Sequence, residues 1–405
     1  VSATADLPRF GVIQAALRNT TERLALELHS PSADAPDWND FEWQVARAVA
    51  TMHGISALLA NRLRWRGPAT WREFLDVQNA RSVERDALIG ALISRLDGAL
   101  RAEGTAAVGL KGTALRRFGL YQPGERPQAD VDLLVDAAAF PAVEAATRRL
   151  DYIHTFTSRR HAVYEPRQKQ TPFPYGEHSA HPLKIEVHSA IGEPLPFRRV
   201  DITERVAARV PSAGLVEYPD TAALMAHLLL HLAGNMRAHA LRLVQLVDIA
   251  RLAPRLTPDE WSSIGAWWAY PPLLLTSRCF PGSVPLEVLD AGERLCSAPL
   301  RRAARRWQLV DVSWSNLRVH ALPGIWWART PSDAARFALS RIWPSRQAIE
   351  ELALAVRALP QLGSGTPWYT LSQPRRILRW LTSRPPRVQT LTCVRGAIQD
   401  QTLSS

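Results

Sequence analysis

The stretch Ala129-Asp130-Val131-Asp132-Leu133-Leu134-Val135 sets two carboxylates one residue apart at the head of an apolar run. Val131, Leu133, Leu134 and Val135 read as a buried strand. Side chains alternate across a strand, so Asp130 and Asp132 share one side of it. Two anions side by side at a buried strand repel each other, and desolvation adds to the cost. A bound cation is the usual compensation, so the pattern points to a metal-binding strand rather than a strand end with two solvated acids.

Working upstream, Lys111-Gly112-Thr113 breaks the short apolar strand Ala106-Ala107-Val108-Gly109-Leu110, and Ala114 to Leu120 follows as one short helix. Glycine lets a backbone approach a ligand closely, and the first free N–H groups of a helix form an anion site. Thr113 adds a hydroxyl that caps the helix or touches a phosphate. Lys111 adds a charge that can neutralise one. Gln122 to Pro127 is a loop. Its Arg126 is placed to reach a phosphate or pair with Asp130, against the ordinary alternative of a solvated loop arginine.

Downstream, Phe140 to Leu150 makes an amphipathic helix, Arg167 to Pro182 is polar and turn-rich, and Lys184-Ile185-Glu186-Val187-His188 alternates as a strand. Glu186 and His188 share one side of that strand. If it pairs with the Asp130 strand, three carboxylates converge. Such a group can hold two Mg²⁺ ions about 3.5–4 Å apart, the arrangement used for in-line attack on phosphorus. The competing assignment for Glu186 is a surface carboxylate beside Lys184. His188 is placed to orient Glu186 or contact a base, with a packed imidazole at a strand end as the plainer alternative.

Around these strands the pattern is helical, so the expected fold is α+β and mostly helical, with a small mixed-sheet core flanked by helices. Four regions are expected. Residues 1–103 form an N-terminal helical region, interrupted by a loop at Ser30 to Asp37, and residues 104–200 form the α/β core. Residues 201–300 form helices packed on the core, with Thr221 to Arg251 a long apolar helical stretch, and residues 301–405 form a basic, tryptophan-rich helical region with a loose tail from Cys393. His227 and His231 fall on one helix face, with His239 and Asp248 further along. Leu228 stands where a zinc protease carries its glutamate, so the histidines read as hydrogen-bonded core residues.

Composition narrows the class. Hydrophobic residues make up 46% of 405, which excludes disorder of the whole chain. Cys279, Cys296 and Cys393 lack metal-ligand spacing, which argues for a reducing compartment. No run is long and apolar enough for a transmembrane segment, and no export signal is visible, so a soluble cytoplasmic protein is expected. The +11 net charge belongs to the last quarter: from Arg301 onward there are sixteen arginines against five acidic residues. Arginine mixed with Trp307, Trp314, Trp326, Trp327, Trp343, Trp368 and Trp380 suits an anionic partner, a membrane surface or single-stranded nucleic acid. Because the arginines are dispersed among proline breaks, helices with tryptophan inside and arginine outside are the favoured reading, and they need no ligand.

Leu110-Lys111-Gly112-Thr113-Ala114-Leu115, then Arg126-Pro127-Gln128-Ala129-Asp130-Val131-Asp132-Leu133-Leu134-Val135, then Ile185-Glu186-Val187-His188 resembles the uncharacterised nucleotidyltransferase family of the DNA polymerase β-like superfamily. That superfamily is marked by a Gly-Ser turn, an Asp-x-Asp strand and a later third acid. The resemblance runs from roughly Phe41 to Arg387, taking in Ala50-Thr51-Met52-His53-Gly54-Ile55 and the Leu- and His-rich stretch from Leu228 to Asp248. It implies a polymerase β-like core and transfer of a nucleoside monophosphate from a nucleoside triphosphate, with Mg²⁺ or Mn²⁺ as cofactor and pyrophosphate released. Gly112 and Thr113 would hold the phosphates, Asp130 and Asp132 the metal, and Glu186 would complete the metal site and act as base. The acceptor stays open among small molecules, peptides or proteins, and nucleic acids. Thr113 stands where serine is usual and Glu186 where aspartate is usual, and Asp130 follows Gly112 by 18 residues, a longer gap than in minimal members. Two rivals remain: a fold member that binds without turnover, and a nucleic-acid-binding protein using the basic C-terminal region.

Overall fold

The structure, a computed structural model, describes residues 7–157, 161–168, 175–178, 180–196, 198–207, 212–346, 349, 371–382 and 386–402. Four helices open the chain: α1 (Phe10–His29), α2 (Asp40–Met52), α3 (Ser56–Arg62) and α4 (Ala69–Ala102). Asn39 starts α2 by accepting the Glu42 N–H at 3.0 Å, while the Glu42 carboxylate accepts the Asn39 N–H at 3.1 Å. Trp38, Trp43, Trp65 and Trp71 fill the space where these helices meet, with ring centroids 4.9–6.2 Å apart. Buried residues recur along α4 at three- and four-residue steps. Trp71, Phe74 and Leu75 face the helical core, whereas Ile89, Leu92 and Leu96, further along, face the sheet.

Eight strands are described: β1 (Ala106–Gly109), β2 (Asp130–Leu134), β3 (Tyr152–Thr157), β4 (His161–Pro166), β5 (Lys184–His188), β6 (Gly192–Leu195), β7 (Arg198–Asp201) and β8 (Gly214–Val216). Between and after them lie α5 (Gly112–Arg117), α6 (Phe140–Arg149), α7 (Thr203–Val206), α8 (Thr221–Arg237) and α9 (Leu243–Leu252). Six strands form one mixed sheet in the order β3-β4-β5-β2-β1-β8, and β6 and β7 form a separate hairpin. The central pair β2–β5 is parallel, and β1 runs antiparallel to β2. Val131, Leu133, Ile185 and Val187 face α4 and Val143 of α6 in a continuous apolar layer. Asp130 and Asp132 therefore project from the opposite face. The fold is α+β and mostly helical, with a mixed six-stranded sheet inside a helical frame.

Four details depart from the sequence expectation. The sheet gains β3 and β4 between residues 152 and 166, and it reaches beyond residue 200 to include β8. The stretch from Thr221 to Arg251 divides into α8 and α9, because His239 adopts φ 54 and turns the chain. The loose tail is not found through Thr402: Cys393 lies in a helix, Val388–Thr402, that packs on α2 with Val394 and Ala397 fully buried. Arg47 of α2 donates to the Ala397 carbonyl. Among the C-terminal tryptophans, Trp327 is buried, Trp307 and Trp314 are half-buried, and Trp326 and Trp343 are exposed. Trp368 and the Trp380 side chain lie outside the described residues. Among those described, no helix is long and apolar enough to cross a membrane. All three cysteines are free.

Candidate active site

Strand register assembles the acids. Across the parallel pair, Asp130 stands opposite Lys184, Asp132 opposite Glu186, and Leu134 opposite His188. Asp130, Asp132, Glu186 and His188 consequently share one face. Strand β4, antiparallel on the far side of β5, sets Val163 opposite Glu186 and His161 opposite His188. Asp132 is buried, and its Oδ1 accepts from Lys111 Nζ at 3.0 Å and from His188 Nε2 at 3.1 Å. His161 Nε2 and His188 Nε2 lie 3.8 and 3.9 Å from Glu186 Oε2.

Charge is short on the positive side. Burial, and then repulsion from Asp132, push the Asp130 carboxyl up to about 6. Burial and the two aspartates push Glu186 up to about 7. Burial acts to raise Asp132 as well, but the Lys111 ammonium and the His188 hydrogen bond outweigh it and hold the group below the ordinary carboxylate range. Burial alone would depress Lys111, yet Asp132 and Asp130 keep its affinity for the proton above normal. One ammonium thus neutralises one carboxylate, and the other two hold protons unusually well. An oxygen-donor set with this surplus of negative charge fits a divalent cation.

The turn before α5 sits against the same face. Lys111 adopts φ 46, a conformation that costs a non-glycine residue about 1–3 kcal/mol. Its N–H donates to Tyr218 Oη at 3.4 Å, and its ammonium is on Asp132. A Cβ on Gly112 would lie 2.7 Å from Arg126 Nη1 and 2.8 Å from Gln128 Cδ, so any other residue here must displace one of these two side chains. Gln128 Nε2 donates to the Asp130 carbonyl at 2.6 Å and lies 3.5 Å from Thr113 Oγ1, which joins the turn to β2. Arg85 of α4 donates to the Gln128 carbonyl at 3.3 Å and to the carbonyls of His178 and His181 at 3.0 Å. Behind the turn a cavity of about 350 Å³ is lined by Gly109, Thr113, Arg117, Tyr218 and Asp220 among others.

Arg126 is neither solvated nor paired with Asp130. Its Nε and Nη2 donate to Asp248 of α9 at 2.7 and 2.8 Å, and Tyr121 Oη donates to the same carboxylate at 2.6 Å. The third guanidinium nitrogen, Nη1, is the one turned toward Gly112. The histidines of α8 are hydrogen-bonded: His227 Nδ1 to Tyr218 Oη at 2.6 Å, and His231 Nε2 to Asn235 Nδ2 at 3.1 Å. His53 Nδ1 accepts the Leu243 N–H at 2.9 Å, and Met52 O accepts from Arg242 Nε at 3.0 Å. The segment around Ala50 to Ile55 therefore anchors the start of α9, the helix that carries Asp248.

Sequence reasoning passed over His161. The signal present was the short apolar run Ala162-Val163-Tyr164 after it, buried throughout, which forms the strand that pairs antiparallel with Lys184–His188.

A family model described as an uncharacterised nucleotidyltransferase matches residues 39–266. The matched span is more than half of the chain and contains every site residue described above. It begins close to Phe41 but ends at 266, well short of Arg387. No curated protein and no solved structure matches the chain.

Proposed function

The chain belongs to the uncharacterised nucleotidyltransferase family, and on that premise we propose that it transfers a nucleoside monophosphate from a nucleoside triphosphate to an acceptor hydroxyl. In this step the acceptor oxygen bonds to the α-phosphorus, the bond to the β-phosphate breaks, and pyrophosphate leaves. The observation that supports it most is the register of β2 and β5, with Asp132 opposite Glu186 and Asp130 on the same face.

Asp130, Asp132 and Glu186 would hold Mg²⁺ or Mn²⁺. When bound, the cation offsets the charge of the triphosphate and makes the acceptor hydroxyl easier to deprotonate. Glu186, on the same face as the two aspartates, would also take the acceptor's proton. Thr113 and the backbone at Gly112 would meet the phosphates, and Lys111 adds charge beside them. Arg126 would offer Nη1 to the same phosphates while Asp248 fixes its other two nitrogens. Catalysis on this arrangement is mainly positioning and charge neutralisation.

The test is incubation of the full chain with each α-labelled nucleoside triphosphate, Mg²⁺ or Mn²⁺, and a panel of hydroxyl acceptors that includes its own side chains. Label should appear on an acceptor with matching pyrophosphate release, and both should vanish in Asp130→Asn and Asp132→Asn. Nucleotide binding with no pyrophosphate under either cation, or undiminished transfer by both variants, would overturn the proposal.

A further inference from the structure

Strand β4 contributes nothing to the reaction above, yet it delivers an imidazole to the same face. His161 stands opposite His188, with ring centroids 5.1 Å apart. Its Nε2 is 3.8 Å from Glu186 Oε2, and His188 Nε2 is 3.9 Å from that same oxygen. The ligand atoms of the three residues all lie within 4.8 Å of one another, and all three residues are half-buried, open to ions from solvent. Neither separation from Glu186 Oε2 is short enough for a hydrogen bond. Donor atoms that each sit about 2.0–2.2 Å from one zinc-sized ion are themselves about 3–4 Å apart, close to the spacing found here.

We propose that His161, Glu186 and His188 form a position for a divalent first-row transition ion, of the Zn²⁺ or Fe²⁺ type, adjoining the Asp130–Asp132 pair. Mg²⁺ prefers oxygen ligands and its own waters, whereas imidazole nitrogens suit Zn²⁺ and Fe²⁺. Two imidazoles and one carboxylate leave coordination positions open for water or a substrate atom. On binding, His188 exchanges its hydrogen bond to Asp132 for the ion, presenting the Nε2 lone pair while the ring keeps its proton on Nδ1. The inference rests on the nucleotidyl-transfer proposal only through Glu186, which the two positions share.

Co²⁺ serves as the probe, titrated into the full chain in excess Mg²⁺ and followed by its visible absorption. The parent should bind one Co²⁺ that Mg²⁺ does not displace. His161→Gln should weaken binding by at least about tenfold, the effect that loss of even an outer partner has on metal sites. X-ray absorption of the Zn²⁺-loaded parent needs no variant and should show two imidazoles around the ion. No Co²⁺ uptake by the parent, unchanged uptake by folded His161→Gln, or a Zn²⁺ spectrum without imidazole would overturn the site. Transfer with Mg²⁺ alone but no Co²⁺ uptake would remove this site and leave the transfer proposal standing. Co²⁺ uptake without transfer under any cation would do the reverse.

Discussion

Arg126 and Asp248 meet in a two-point ion pair, Nε to Oδ1 at 2.7 Å and Nη2 to Oδ2 at 2.8 Å, although 122 residues separate them in sequence. The pair ties the loop that leads into the Asp-x-Asp strand to α9, and it is nearly buried, with side-chain exposures of 17% and 3%. Removing one member of a buried pair strands the other charge and costs about 3–5 kcal/mol. Asp248→Ala should therefore lower the unfolding free energy by about that amount in urea titrations. An unchanged midpoint would show that the pair carries no stability.

Gly112→Ala tests the close approach at the turn. The new methyl would meet Arg126 Nη1 and Gln128 Cδ at 2.7 and 2.8 Å, and neither group can retreat without loosening Asp248 or the Asp130 carbonyl. Overpacking of this kind costs about 1–3 kcal/mol. Triphosphate affinity should fall by about tenfold or more, the change that 1.4 kcal/mol produces. Equal affinity in calorimetry would place the phosphates elsewhere.

Asp130→Asn should stabilise the protein in the absence of divalent cations. The folded-state Asp130 carboxyl lies at about 6, above its ordinary 3.8, so its contribution is fully present below pH 3.8 and is lost as pH rises through 6. Above that pH the charged group costs a few kcal/mol, on the order of 1.4 kcal/mol for each unit of the shift. The stability difference between variant and parent should therefore grow between pH 4 and 6 and then level off. Saturating Mg²⁺ should narrow it. A difference that does not change with pH would mean that burial and Asp132 together do not raise the Asp130 carboxyl.

His53 should respond in the opposite sense. Its ring is fully buried between the Leu243 N–H and Ser315 Oγ, and desolvation, followed by the nearby Arg242 charge, pushes it down to about 3. The unfolded chain takes up this proton near 6.5, so the stabilising contribution is intact above 6.5 and is lost as pH falls toward 3. The loss amounts to several kcal/mol, by the same conversion of about 1.4 kcal/mol per unit. Imidazole C–H signals followed by NMR should show this ring neutral down to about pH 3. Titration near 6.5 in the folded protein would contradict it.

The parts of the fold that sequence patterning exposed were the apolar strands that carry the acids. Lys184–His188 alternates, and Asp130, Val131 and Asp132 do so before the run continues apolar through Leu134, so which side the carboxylates occupy was legible. Their register was not, because pairing Asp132 with Glu186 depends on contacts 54 residues apart that no local pattern encodes. Strand β3 lies at the sheet edge with only Tyr152 buried, so it carries no alternation to detect. Strand β8 is three residues long, too short for any period. The break between α8 and α9 falls at a histidine in left-handed backbone, where a glycine would have advertised the turn. Arg126 and Asp248 were each conspicuous alone, but a loop arginine and a helix aspartate do not announce that they belong together.

The helix Val388–Thr402 covers α2 by burying Val394 and Ala397. During synthesis, α2 emerges about 350 residues before its cover does, which at ~5–20 residues per second leaves its apolar side open for tens of seconds. The N-terminal helical layer therefore cannot reach its final packing as translation proceeds, and premature termination before Val388 would leave a lasting hydrophobic scar on α2. Such truncated chains are the species that chaperones or proteases would meet first.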